Sequence, residues 1–178
     1  MWEQIRSNQR KSAALVVGLA ALLFVLGYVG AEALRPGSGI VGLGIAFCFW
    51  LILSLISYMQ GGSIMLAVAG ARPVEKADAP RLYNVVEEMQ IASGLPRMPE
   101  VYIIDDDAPN AFATGRDPEH AAVAVTSGLL KRLNRDELQG VIAHEMAHIN
   151  NRDVLLMIMV GVLMGTIVML AAVLLRGV

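Results

Sequence analysis

The sequence predicts a membrane-anchored α+β fold: two N-terminal transmembrane helices, a polar domain of helices and short antiparallel strands, and a third hydrophobic helix. Three observations support this class: long apolar runs, charge concentrated between the second and third runs, and mixed helix and strand patterns in that segment. Of the 178 residues, 56% are hydrophobic and 17% charged, against about 45–50% and about 25% in soluble domains. These values exclude a single water-soluble globule. The net charge of −2 also gives no reason to expect nucleic acid as a partner.

Three runs have the length of a transmembrane helix. Residues 13–34 carry one charge, Glu32, and residues 39–60 and 154–175 carry none. Each has about 20 residues or more, which is enough for a helix to cross a hydrocarbon core of about 30 Å. Residues 35–38 then form the short turn of a hairpin between the first two spans.

A cleaved signal peptide is the alternative interpretation of the first run. Arg10 and Lys11 would form its positive region, and Ala31-Glu32-Ala33 resembles a small-residue cleavage site. The run is longer than the core of about 7–15 residues that a signal peptide has, and a second span follows almost at once. A hairpin of two membrane helices is therefore favoured.

Lysine and arginine near the span ends predict the orientation, because positively charged loops stay in the cytoplasm. Positive residues precede the first span and follow the second: Arg6, Arg10, Lys11, Arg72, Lys76 and Arg81. The turn between the spans has one, Arg35. We therefore expect a cytoplasmic tail at residues 1–12, an external turn, and a cytoplasmic domain at residues 61–153.

The polar domain begins with a helix and a strand. Residues 79–93 repeat apolar side chains at helical spacing, with Asp78 as a possible N-cap and Gly94 as C-cap. Residues 101–104 form a short, largely apolar strand. It stops at three successive acids, residues 105–107, where a solvated turn is favoured over a cation site.

Two further short segments predict an antiparallel pair of strands. Residues 111–114 and 121–125 flank a turn-forming cluster at residues 115–118. Residues 129–133 then begin a helical segment. His120 lies in the loop before the second strand, where a surface residue is favoured over a metal ligand.

The next helix carries the chemistry. Asn134 is a good N-cap, and Glu137 occupies the capping-box position three residues later. At 100° per residue, one side of the helix collects Leu138, Ile142, Glu145 and Ile149. The adjacent stripe collects Glu137, Val141, His144 and His148.

Residues 144–148 have the pattern H-E-x-x-H, which predicts a zinc site. His144 and His148 lie one helical turn apart, so both imidazoles can bind one Zn²⁺. Glu145 can act as the general base that takes a proton from a water molecule activated by the metal. A chance match on an amphipathic helix is the alternative. The well-formed cap, the coherent face and the use of two of the three histidines in the chain argue against it.

Two stretches carry a family resemblance. HEMAHINNRDV (residues 144–154) resembles the active-site helix of HtpX-type membrane zinc proteases, relatives of the prenyl-protein endoproteases. NAFATGRDPEHAAVAVTSGLL (residues 110–130) is similar to the stretch that precedes that helix in the family. The resemblance implies a gluzincin-like domain with one zinc per chain. It also implies a bacterial inner-membrane protease that degrades damaged membrane proteins or unfolded polypeptides in stress response and quality control.

The resemblance also implies a third zinc ligand that is not among these residues. In the family, a glutamate comes from a helix well downstream of H-E-x-x-H. After Glu145 the only carboxylate is that of Asp153, which is too close for this role but could orient a histidine. The sequence is therefore interpreted as a truncated piece with two of three ligands.

Two other functions stay open at this point. A degenerate relative or fragment could act as a non-enzymatic membrane protein that binds partners, and a metal-binding sensor is the third possibility. If the chain is a protease, an extended substrate can add to the edge of a sheet. Residues 110–114 or 121–125 are the candidates for that edge, and a structural role in the core is the alternative for both.

Overall fold

The computed structural model describes residues 2–151 of the chain. The third apolar run, residues 154–175, and Asp153 lie outside the described residues. The elements follow in the order α1 (Trp2–Leu34), α2 (Gly39–Val68), β1 (Ala71–Pro73), α3 (Pro80–Ser93), β2 (Glu100–Ile104), β3 (Ala111–Gly115), β4 (Ala121–Thr126), α4 (Ser127–Arg132) and α5 (Arg135–Asn151). This arrangement confirms the predicted α+β class with two long N-terminal helices.

Helices α1 and α2 form an antiparallel hairpin. Both contain stretches long and apolar enough to cross a membrane, Ala13–Leu34 and Gly39–Val68. The two helices approach closely at Gly27 and Gly42, where a Cβ atom added to Gly42 would collide with the Gly27 carbonyl oxygen. Large apolar side chains cover the outside of the hairpin and are exposed in the isolated chain. Such an all-round apolar surface is typical of helices that face lipid.

The one charge of the first span caps the second helix. Glu32 accepts hydrogen bonds from the backbone N–H groups of Gly37 and Gly39, over 2.8 and 2.9 Å. Ser38 precedes α2 but makes no side-chain cap. The carboxylate of Glu32 therefore satisfies backbone donors that the start of a helix leaves unpaired.

Helix α2 extends beyond the predicted end of the span at residue 60. It continues through Gly62 to Val68, where its last turns pack on the sheet. The backbone of Gly62 passes close to that of Gly115. Leu66 is buried against Ala122 and Ala124. This tertiary packing keeps the glycine-containing segment helical.

The sheet has four strands in the order β1-β2-β4-β3. The predicted antiparallel pairing of β3 with β4 is confirmed, with Ala113 opposite Val123. Strands β2 and β4 are parallel, with Val101 opposite Val123. Strand β1 pairs antiparallel with β2 and ends at Pro73 on the edge of the sheet, where a proline is tolerated. Strands β2 and β4 are the two inner strands, and every residue of β4 is buried.

The main core lies between one face of the sheet and helices α3 and α5. Its fully buried side chains include Leu82, Val85, Val86, Val123, Val125, Leu138, Ile142 and Met146. The other face of the sheet packs against the end of α2 through a smaller cluster. The sheet therefore lies between α5 and the last turns of α2.

The ends of α3 show one correct and one wrong prediction. Gly94 is the C-cap in the left-handed conformation, with φ of 69°. Asp78 is not the N-cap, because the helix begins at Pro80 and its N-cap residue is Ala79. The Asp78 carboxylate instead accepts a hydrogen bond from the Glu75 backbone N–H. Proline in the first turn lacks an N–H that would need a cap.

Candidate metal centre

A capping box fixes the start of α5, as predicted. The Asn134 side chain accepts a hydrogen bond from the Glu137 N–H over 3.0 Å. In return, the Asn134 N–H donates to the Glu137 carboxylate over 2.8 Å. A cap of this kind contributes about 1 kcal/mol to helix stability. The helix that carries H-E-x-x-H thus begins at a defined residue.

His144 and His148 face each other on the exposed side of α5. Their Nε2 atoms are 3.1 Å apart, and the ring centroids are 4.6 Å apart at an interplanar angle of 85°. Tetrahedral zinc with bonds of about 2.0–2.1 Å holds two ligand nitrogens about 3.3 Å apart. The spacing of these two nitrogens therefore fits two ligands of one zinc ion.

Glu145 lies on the adjacent, core-facing side of the same helix. Only 9% of its surface is exposed, and it shares this side with Leu138, Ile142 and Ile149, as the periodicity predicts. Its Oε2 accepts a hydrogen bond from the backbone N–H of Ala113 over 2.8 Å. This charge-assisted bond offsets part of the cost of burying a carboxylate.

The Ala113 N–H points outward because β3 is an edge strand. Thr126 donates its backbone N–H to the Asn110 carbonyl, so residue 110 turns its backbone toward β4. In an antiparallel pair this orientation alternates along the strand. The backbone groups of residues 111, 113 and 115 therefore face away from β4, on the side where Glu145 lies. The sequence pattern gave the strand but not this contact.

The part of the chain that the structure describes contains no group of three or more His, Cys, Asp or Glu side chains that could hold a metal ion. His144 and His148 are thus the two candidate ligands within residues 2–151. The remaining histidine, His120, is exposed in the β3–β4 turn and pairs with Asp117 over 2.8 Å. This agrees with the prediction that it is a surface residue.

The Asp117 carboxylate accepts several hydrogen bonds within that turn. Burial raises its pKa, but hydrogen bonds from the His120 side chain and from the backbone N–H groups of Glu119 and His120 lower it. The net effect is a pKa below the ordinary aspartate value. Arg116 adds a further ion pair over 3.3 Å. This cluster stabilises the turn and is separate from the histidine pair on α5.

Comparison with known proteins gives close relatives. The chain is 46% identical over 178 residues to a protease HtpX homolog of Thermoanaerobacter pseudethanolicus and 43% identical over 178 residues to one of Caldanaerobacter subterraneus. Each comparison covers 99% of this chain and 58% of the relative. A homolog from Streptococcus gordonii is 42% identical over 97% of this chain and 58% of its own length. The chain therefore spans less than two thirds of the length of these relatives.

One solved structure and one family complete the comparison. The crystal structure of Ste24p from S. mikatae aligns with a TM-score of 0.48 and 17% identity, over 92% of this chain and 38% of Ste24p. Peptidase family M48 matches residues 76–177, which include β2, the edge strand and all of α5. With this match and the identities above, the chain belongs to peptidase family M48.

Proposed function

We propose that this chain acts in a zinc-dependent endopeptidase of the membrane that cleaves damaged or misfolded membrane proteins. One observation carries the proposal: His144 and His148 present two nitrogens 3.1 Å apart, beside a buried glutamate that is bonded to an edge strand. Membership of a peptidase family supports the same conclusion.

His144 and His148 would hold the metal, and a downstream glutamate of the family would be the third protein ligand. Catalytic zinc normally takes three protein ligands and keeps one position for water. When bound, zinc lowers the pKa of its water and polarises the carbonyl group of the scissile peptide.

Glu145 would move the proton. As general base it removes a proton from the attacking water, and as the conjugate acid it can return that proton to the leaving amine. The Ala113 N–H fixes one carboxylate oxygen at 2.8 Å, so the base is held in place before substrate arrives. Preorganisation of this kind is a main source of enzymatic rate enhancement.

Strand β3 would bind the substrate in an extended conformation. Of the two segments that the sequence offers, residues 121–125 are excluded because β4 lies between β2 and β3. Strand β3 keeps an outer edge beside Glu145. A substrate that adds to this edge gains backbone hydrogen bonds that do not depend on its sequence, which suits a protease for misfolded polypeptides.

We further propose that the protein resides in the bacterial inner membrane with the sheet and α5 in the cytoplasm. The positive residues at the two cytoplasmic ends of the hairpin support this orientation. A role in stress response and protein quality control fits a membrane protease of broad specificity.

Zinc content and proteolysis test the proposal separately. The experiment uses a chimaera that joins this chain to the C-terminal part of the T. pseudethanolicus relative. Unfolded casein is the substrate. His144→Ala/His148→Ala should lose zinc and activity together. Glu145→Gln should keep zinc and lose activity by orders of magnitude, since an amide cannot take the proton. Equal zinc content in the chimaera and its double histidine variant would refute the metal site, and full activity of Glu145→Gln would refute the mechanism.

The 178-residue chain alone provides the comparison for the third ligand. It should bind zinc weakly and cleave poorly, because two histidines give an incomplete ligand set. Zinc in the 178-residue chain without proteolysis in the chimaera would instead favour a metal-binding sensor. Absence of both would favour a non-enzymatic binding protein.

A further inference from the structure

A pocket of about 220 Å³ lies on the side of the sheet away from α5. Its walls come from the last turns of α2, from the segment before β2, and from the β3–β4 turn with the adjacent strand ends. His144 and His148 do not line the pocket, because the sheet lies between the pocket and α5. This pocket is therefore separate from the candidate metal centre.

The pocket lies at the level where a membrane ends. Twenty residues of α2 cover about 30 Å, the thickness of the hydrocarbon core. Counted from Gly39, this length ends at Tyr58, which lines the pocket and is half exposed. Tyrosine is enriched at the boundary between lipid and water. The pocket therefore opens where lipid headgroups lie.

The charged lining has both signs. Arg97 and Arg116 contribute guanidinium groups, and Glu100 and Glu119 contribute carboxylates. Within residues 2–151, neither the Arg97 guanidinium nor the Glu119 carboxylate has a hydrogen-bond or ion-pair partner. Arg116 pairs with Asp117, and Glu100 accepts a hydrogen bond from the Tyr102 hydroxyl. A ligand with a negative and a positive group would complement this lining.

Thr114 adds an independent indication of a ligand. It is only 1% exposed, and its Oγ1 has no hydrogen-bond partner among the described residues. The same side chain lines the pocket. Buried hydroxyl groups are nearly always hydrogen-bonded, to protein, water or ligand. The oxygen is also covered from solvent, so a bound polar molecule would bond it only after a small shift of the pocket wall.

We propose that this pocket binds the headgroup of a phospholipid that carries both a phosphate and a primary ammonium group. Arg97 and Arg116 would bind the phosphate, since guanidinium groups match its geometry. Glu100 and Glu119 would accept hydrogen bonds from the ammonium group. Thr114 would hydrogen-bond a phosphate oxygen, and the acyl chains would follow the exposed apolar side of α2 around Met59.

Lipid binding to the full chain tests this site. The protein in detergent is titrated with dioleoyl phosphatidylethanolamine, phosphatidylglycerol or phosphatidylcholine, and bound lipid is counted by native mass spectrometry. We expect phosphatidylethanolamine to bind at least fivefold more tightly than the other two, because only it offers a primary ammonium group. Equal binding of all three lipids would overturn the proposal.

Variants of the lining residues test whether the lipid binds in this pocket. Arg97→Gln/Arg116→Gln should weaken phosphatidylethanolamine binding at least tenfold, whereas Arg132→Gln, at the end of α4 and outside the pocket lining, should not change it. Thr114→Val should weaken binding about threefold or more without lowering the thermal midpoint, a combination that a purely structural hydroxyl would not give. An unchanged affinity in both pocket variants would overturn the site.

A water-soluble competitor separates the lipid from a free phosphate compound. Glycerophosphoethanolamine has the same headgroup without acyl chains. We expect at least a hundredfold excess to be needed to displace the lipid. Displacement at equimolar concentration would assign the pocket to a soluble phosphate ester and overturn the lipid proposal.

Discussion

The backbone N–H of Ala113 donates a hydrogen bond to Glu145 Oε2 over 2.8 Å, which connects the edge strand β3 to the H-E-x-x-H helix. Because the bond joins residues far apart in sequence, it forms only after the sheet and α5 have packed together. The edge that would bind a substrate and the carboxylate that would act on it are thereby held in one fixed relation. A shift of β3 must displace the carboxylate or break the bond.

A proline substitution should have a different effect in the edge strand β3 than in the central strand β4. Ala113→Pro removes the N–H that Glu145 accepts but no ladder bond to β4, so the chain should fold with a loss of about 1–3 kcal/mol. Zinc should stay bound in the chimaera while casein cleavage falls at least tenfold. Ala124→Pro lies in the central, fully buried strand and should unfold the domain. Circular dichroism, zinc content and cleavage rate measure the three effects, and undiminished cleavage by Ala113→Pro would refute the role of this edge.

Two glycines of α2 should respond differently to a methyl group. Gly42→Ala forces the helices of the hairpin apart, since the new Cβ meets the Gly27 carbonyl, and should cost about 1–3 kcal/mol. Gly44→Ala is the matched control, because its Cβ meets nothing within 4 Å. It should be neutral or stabilising by up to about 1 kcal/mol. SDS titration in mixed micelles gives the free energy of unfolding, and equal values for both variants would contradict the observed helix crossing.

The stability that Asp117 provides should depend on pH. Its folded pKa is lowered, so the unfolded state binds more protons as the pH falls through this range. The contribution is fully present above the ordinary aspartate pKa and is lost as the pH falls through the folded pKa. Asp117→Asn should therefore destabilise the chain by less than about 1 kcal/mol at pH 5 and by progressively less towards pH 2. Urea unfolding at several pH values measures this difference, and a difference that grows on acidification would show the sign to be wrong.

Cysteine accessibility should reveal the orientation of the hairpin. In a Cys48→Ser background, cysteines replace Pro36 in the turn or Asp106 after β2, two exposed positions. An impermeant maleimide added to intact cells should label the cysteine at position 36 and leave the one at position 106 unlabelled until the cells are lysed. The reverse pattern would place the sheet outside the cytoplasm.

Local signals in the sequence predicted local structure well. The capping box of Asn134 with Glu137 and the left-handed cap at Gly94 each depend on neighbouring residues, and both are confirmed. The buried side of α5 also followed from helical periodicity. Asp78 failed as an N-cap because a competing local bond, to the Glu75 N–H, occupies its carboxylate.

Relations between distant segments could not be predicted in the same way. Strand β1 has three residues and ends in a proline, so its pattern is too short to recognise, and only its pairing with β2 defines it. The parallel pairing of β2 with β4 skips β3 along the chain. The bond from Ala113 to Glu145 and the unpartnered Thr114 hydroxyl also depend on tertiary packing. The assignment of His144, His148 and Glu145 to a zinc site stays a prediction.

The unbroken length of α2 determines the clearance between the sheet and the bilayer. Its 30 residues measure about 45 Å, of which a hydrocarbon core takes about 30 Å. The sheet is attached to the remaining part without a flexible linker, since Leu66 is buried beneath β4. The α5 helix is therefore held at a fixed distance from the membrane by α2 and the sheet. Polypeptide segments close to the lipid surface would reach its histidine pair directly, whereas segments farther from the membrane would first have to approach it.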